Sequence, residues 1–158
     1  VKRQPKGPKP RAQSLRVWTF NEAQAAIPYV ASVVRSIREH ALEALAHARV
    51  AQRIANRPGR PNREALISHE EASREAREAD EEFRDAVAEL QALDIYCLDP
   101  IQGQALVPFV HDEQLAWYIF DLHEPQAFRF WRFQSDPEDT RRPITVRQKD
   151  AAGATRTV

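Results

Sequence analysis

Two apolar stripes at heptad spacing, split by a Pro-Gly-Pro break, constrain this chain more than any other feature. The first runs through Phe20, Ala23, Ile27, Val30, Val34, Ile37, Ala41, Leu45 and Ala48. The second runs through Ala72, Ala76, Ala79, Phe83, Ala86, Leu90 and Leu93. Steps of three and four residues set each stripe on one helix face. Between them, Arg57-Pro58-Gly59-Arg60-Pro61-Asn62 forces a turn. The pattern predicts a long antiparallel helical hairpin over residues 19–93, packed in the manner of a coiled coil.

Local signals place the ends. Thr19 and Glu22 fit a capping box, the hydroxyl accepting from a first-turn N–H and the carboxylate reaching back. Trp18, just before the cap, is placed to staple the first turn. The first helix is expected from about Phe20 to about Asn56, with Pro28 kinking it one turn upstream. The second is expected from Asn62 or Arg63 to Leu93, with Asp94 in the left-handed closing position usually given to Gly. A turn centred on Gly59 sets Ala72 opposite Leu45, Ala76 opposite Leu42 and Ala41, Phe83 opposite Val34, and Leu90 opposite Pro28 and Ile27. The turn half of the hairpin is then alanine-rich and close-packed, and the open half is bulkier. Val33, Leu42, Ala44 and Ala51 lie outside the seam and need a lid or a second copy of the chain.

The period becomes strand-like from Leu106 to Phe133. Three strands are expected, near 106–110, 115–120 and 128–133, with Pro108 marking a strand edge and His111-Asp112-Glu113-Gln114 a turn. Eight of the thirteen aromatics fall at 109–133, so one face of this meander (105–133) must be hidden, and the open end of the hairpin is the place for it. The fold class is therefore α+β: a long antiparallel hairpin packed on a small three-stranded antiparallel sheet, in one domain at 17–144.

Charge is segregated, although the net charge is zero. Residues 1–16 carry six basic residues and no acid, and 141–158 carry five against Asp150, leaving an acidic middle with twelve basic and twenty-two acidic residues. Three prolines and no apolar periodicity make 1–16 a disordered arm, and 145–158 reads as a flexible basic tail. Such ends serve either as solubilising segments or as contacts for nucleic acid or the ribosome. Cys97 is the one cysteine, which excludes an intrachain disulfide and a Cys-based zinc knuckle. No apolar run approaches the length of a membrane span, and no signal-type core follows the basic start. A cytoplasmic protein with no membrane association is expected.

Four scattered glycines exclude a phosphate-cradling loop, and no Ser sits in a nucleophile-elbow pattern. The sharpest metal candidate is Glu43 and His47, four residues apart on one helix face, with His69 across the hairpin. Nothing resembles Glu-x-x-His on both helices, however, and partly exposed polar residues are the ordinary reading. Trp117, Glu124, Arg129, Trp131 and Arg132 are the candidates for a ligand or partner cleft. The same aromatics are what a small sheet buries against helices, and core packing is preferred to a nucleic-acid stacking platform. Asp99, Asp121 and Glu124 are the carboxylates open to acid/base work, given a pocket. No cofactor is expected.

Trp18-Thr19-Phe20-Asn21-Glu22-Ala23-Gln24-Ala25-Ala26-Ile27-Pro28 resembles the opening of a bacterial family, domain of unknown function 2203. Leu93-Asp94-Ile95-Tyr96-Cys97-Leu98-Asp99-Pro100, with Gly103, Leu106, Pro108 and Phe109, resembles the segment that follows its helices. Phe128-Arg129-Phe130-Trp131 and Arg142-Pro143-Ile144 resemble its closing aromatic strand and Arg-x-Pro end. The resemblance spans about 18–144 and implies no activity. Arg132 stands where the family usually has His, and Asp136-Pro137-Glu138-Asp139-Thr140 replaces a Gly-rich stretch.

The reading that follows is a non-enzymatic cytoplasmic interaction module that self-associates through its hairpin as a homodimer. The alternatives are a nucleic-acid or ribosome-associated protein acting through its basic tails, and a metal- or small-ligand-binding protein.

Overall fold

The computed structural model describes residues 14–151. The elements run α1 (Phe20–Ala25), α2 (Ile27–Ala55), α3 (Arg63–Gln91), β1 (Tyr96–Asp99), β2 (Gln104–His111), β3 (Gln114–Asp121), β4 (Phe128–Phe133), β5 (Arg142–Pro143) and α4 (Val146–Ala151). The fold is α+β, with the expected hairpin formed by α2 and α3. The sheet has five strands in the order β1-β2-β3-β4-β5, not three, and the pairings are antiparallel. The two added strands are short and join the two edges of the expected meander, so neither carries enough alternation to be read as a strand.

The capping box is present: Glu22 N–H donates to Thr19 Oγ1 at 3.2 Å and Thr19 N–H donates to Glu22 Oε2 at 2.9 Å. Trp18 goes further than a staple. It is buried, its indole N–H donates to the Leu93 carbonyl at 3.2 Å, and it thereby ties the start of α1 to the end of α3. Pro28 does not kink one continuous helix; the chain breaks at Ala26, which closes α1 and opens α2. The proline then sits in the first turn of α2, where a missing N–H leaves no intrahelical bond unmade.

Asn62 caps α3, its side chain accepting from Ala65 N–H at 2.8 Å. Asp94 takes the left-handed conformation expected of it, with φ of 58°. Across the hairpin, His40 pairs with Glu82 at 3.1 Å and His47 with Glu75 at 2.9 Å. A turn centred on Gly59 would set Glu78 and Glu71 opposite these histidines. Side chains lean toward the N-terminus of their own helix, so in an antiparallel pair each histidine meets a glutamate one turn further along α3.

The main core lies between the open half of the hairpin and one face of the sheet. Val30, Val33, Val34 and Ile37 of α2 and Ala86 and Leu90 of α3 meet Ala105, Val107, Phe109, Tyr118, Phe120 and Trp131. Phe109 stacks on Tyr118 with centroids 3.8 Å apart, and Phe20 meets Tyr118 edge-on. The other sheet face holds a smaller cluster of Leu106, Trp117 and Ile119, onto which Leu15, Leu98, Leu115 and Phe130 pack.

Pro108 is not on an outer strand, since β2 lies between β1 and β3. The ladder to β1 reaches only Leu106, so the edge beyond it is open. There the Pro108 carbonyl accepts from Trp18 N–H at 2.8 Å, and the absent proline N–H faces no strand partner. Order also begins earlier than residue 17: Leu15 packs on the second cluster, and Arg16 N–H donates to Asp94 Oδ2 at 2.7 Å. The expected tail at 145–158 begins with a helix, α4, whose Lys149 ammonium lies 5.6 Å from the Phe20 ring. The expected disorder of residues 1–13, and the tail beyond 151, lie outside the described residues.

The β2–β3 hairpin turns through Asp112 and Glu113, both at positive φ as a tight two-residue hairpin requires. Gly103 is the other constrained turn. Its φ is 71°, and a Cβ built there lies 3.0 Å from Leu122 Cβ. Gly103→Ala is therefore expected to lower stability by about 1–3 kcal/mol, read as a lower urea midpoint at unchanged slope. An unchanged midpoint would show that this backbone relaxes without cost.

Candidate functional site

The five cleft candidates do not converge. Trp117 lies in the outer cluster and Trp131 in the helix-facing core, so the sheet itself separates them. Arg132 is paired with Trp117 in the ladder and is only 6 % exposed. Its Nε has no partner, and its Nη1 donates to the Phe133 carbonyl at a long 3.4 Å.

Glu124 and Arg129 do meet, at 3.4 Å, and with Gln104, Asp121, Phe130 and Arg141 they line a hollow of about 200 Å³ at one end of the outer sheet face. Its acids are largely engaged. Asp121 accepts from Gln104 Nε2 and from His123 N–H, both at 2.9 Å. Asp99 lies elsewhere and caps a turn, accepting from Ile101 and Gln102 N–H, each at 2.9 Å. Of the three carboxylates only Asp121 and Glu124 share a hollow, where Asp121 is held by Gln104 and the His123 N–H and Glu124 by Arg129.

The metal candidates also part company. Glu43 lies 3.5 Å from His40, His47 is paired with Glu75, and His69 lines a hollow by the interhelical turn. Among the described residues no group of three or more His, Cys, Asp or Glu is arranged to hold a metal ion. Helical spacing brought Glu43 and His47 to one face, but cross-hairpin partners then claimed the imidazoles. Cys97 is half-buried, and burial, followed by the nearby Asp99, pushes its thiol above the ordinary range, the opposite of what a nucleophilic thiolate needs.

One polar constellation was legible only as a family motif. Arg142 of β5 forms a two-pronged pair with Asp136, Nε to Oδ2 at 2.8 Å and Nη2 to Oδ1 at 2.9 Å. The guanidinium also lies over Phe133 and Trp131, at 5.2 and 5.6 Å from the ring centroids. Asp136 further accepts from Phe133 N–H at 2.9 Å. The short acidic loop at 136–140 is thus clamped to the sheet edge, with the aromatic strand as its platform.

Residues 16–144 match the model of the uncharacterized conserved protein family DUF2203. The chain belongs to that family. No curated protein and no solved structure matches it. The DUF2203 match begins at the Arg16 that meets Asp94 and ends just past β5, so it takes in both the hairpin and the whole sheet.

The geometry also exposes what the heptad pattern concealed. The core reaches along α2 only to Ile37 and along α3 only back to Phe83. Arg38, whose Nε donates to the Ile101 carbonyl at 2.9 Å, makes the last such polar tie from α2 to the sheet end of the molecule. Beyond it the hairpin projects by roughly 25 Å at 1.5 Å per residue. On this projection Leu42, Leu45, Leu66 and Ile67 are 38 to 57 % exposed. No helix among the described residues is long and apolar enough to cross a membrane.

The Arg142 pair and the Phe133 N–H hold the Asp136 carboxyl well below its usual range, at about 2. A depressed folded-state value means stability that is present above the unfolded pKa, near 4, and is lost as pH falls toward 2. Asp136→Asn should therefore lower the urea midpoint at neutral pH and converge with the parent chain as pH approaches 2. A constant gap down to that pH would show that the carboxylate charge is not what the loop uses.

Proposed function

We propose that this DUF2203 chain is a non-enzymatic interaction module of the cytoplasm that self-associates through the projecting half of its hairpin. The observation that carries the reading is the exposed row of leucines on helices that have left their own core. Successive residues turn by about 100° on a helix, which sets Leu42, Leu45 and Leu66 on the flank opposite the His40–Glu82 and His47–Glu75 pairs. An apolar row on an otherwise charged hairpin is the signature of a contact surface.

A second copy is the partner that the charge pattern favours. On the projection α2 carries Arg49 and Arg53 and no acid after Glu43, whereas 64–82 carry eight acids and two arginines. A two-fold axis that lays α2 of one copy against α3 of the other brings opposite charges together. The same axis buries the leucine flank in a four-helix arrangement. Like helices facing each other would repel, so the charges select the pairing as well as favour it.

Sedimentation velocity at tens of micromolar is expected to show a dimer. Leu42→Asp with Leu45→Asp should convert it to a monomer with unchanged helix content, because both positions are exposed in the single chain. A parent chain that sediments as a strict monomer at that concentration would overturn the reading.

A further inference from the structure

We infer that the tip of the hairpin is a binding surface for the phosphate backbone of nucleic acid. The basic stretch at 44–63 turns the corner of the hairpin with Arg49, Arg53, Arg57, Arg60 and Arg63, all exposed. Several arginines elsewhere are paired: Arg77 with Glu70, Arg84 with Asp80, Arg129 with Glu124 and Arg142 with Asp136. Among the described residues the five at the tip have no acidic partner and no side-chain hydrogen bond. Five unneutralised guanidiniums within twenty residues of an otherwise acidic body are an electrostatic footprint for a polyanion.

Their arrangement fits a chain of phosphates better than a single anion. Arg49 and Arg53 lie one turn apart, about 6 Å along one face of α2, and Arg57 follows just past the end of that helix. Around the corner, Arg57 and Arg60 border a hollow of about 370 Å³ whose other walls include Pro58, Leu66 and His69. Cations beside an apolar recess suit a backbone with a sugar or base laid against it. The field comes from the side chains, since the C-terminus of α2 and the N-terminus of α3 meet here and their dipoles oppose. Acids return at Glu64 and continue along α3, so the footprint is confined to the tip and takes a short stretch of strand. In the proposed dimer Arg49 and Arg53 lie on the leucine flank, so the contact falls to Arg57, Arg60 and Arg63, on the folded hairpin and not on the basic ends of the chain.

The test uses the full chain and fluorescence anisotropy of a fluorescein-labelled oligouridylate. Engagement of three arginines predicts that the logarithm of the binding constant falls with the logarithm of salt at a slope of about −2. Changing Arg57, Arg60 and Arg63 together to Gln should weaken binding at least tenfold. The same three changed to Lys should bind within a few-fold of the parent, because phosphate contact needs the charge more than the fork. The Leu42→Asp, Leu45→Asp chain should keep its RNA binding, which separates failure here from failure of the dimer. Equal binding by the Gln chain, or no binding by the parent at low salt, would overturn the inference. So would capture of phosphatidylglycerol vesicles by the parent with no affinity for the RNA.

Discussion

Everything in this molecule hangs on the contact between one short segment of α2 and the inner face of the sheet. Val30, Val33, Val34 and Ile37 fill the space above Val107, Tyr118 and Phe120, and the residues on each side of that seam are small or aromatic in a way that leaves little room to slide. Because the contact involves only about two turns of a helix almost four times that length, it fixes the hairpin at one end. The sheet is thus a head and the hairpin an arm. The order of the strands, the position of Trp18 against Leu93 and the clamp of Arg142 on Asp136 all serve to close the head around that seam.

The hairpin, its cap residues, its left-handed Asp94 and the strand order of the meander were legible in the sequence, because each rests on a local rule of spacing or backbone sterics. What was not legible has a common cause. β1 and β5 are held by pairing with a neighbour rather than by their own pattern: Tyr96–Asp99 has four residues and Arg142–Pro143 two. The order at Leu15 depends on an apolar patch made by Leu106, Trp117 and Ile119, which no local window contains. Pro28 shows the same limit. Its sequence position announces a disruption, but whether a helix bends or divides depends on where the preceding turn finds its core, and Phe20 and Ala23 found it separately.

The candidate site residues fared according to whether their partners were near in sequence. Glu124 lies on the connection that leads into β4, Arg129 at the start of that strand, and the two meet. Trp117 and Trp131 are parted by strand parity, since Trp131 faces Tyr118 across the ladder while Trp117 faces Arg132. Of Glu43, His47 and His69, the first lies by His40 on its own helix and the second pairs with Glu75 on the opposite one, while His69 borders the hollow at the turn. The arginine cluster of the turn was visible as composition but concealed by the stronger charge imbalance at the two ends of the chain. Only the loss of sheet contact beyond Arg38 brings it forward.

The alanine seam has a further consequence, in the language of cooperative units. Ala72, Ala76 and Ala79 bring the helices close but remove little apolar area when they are buried. The head, with its aromatic core, opens only with the whole fold. The arm is therefore expected to open at smaller cost than the head, from the turn inward, as a separate step in amide exchange. The His40–Glu82 and His47–Glu75 pairs then act as rungs that set how far that opening runs before it meets Phe83 and the head.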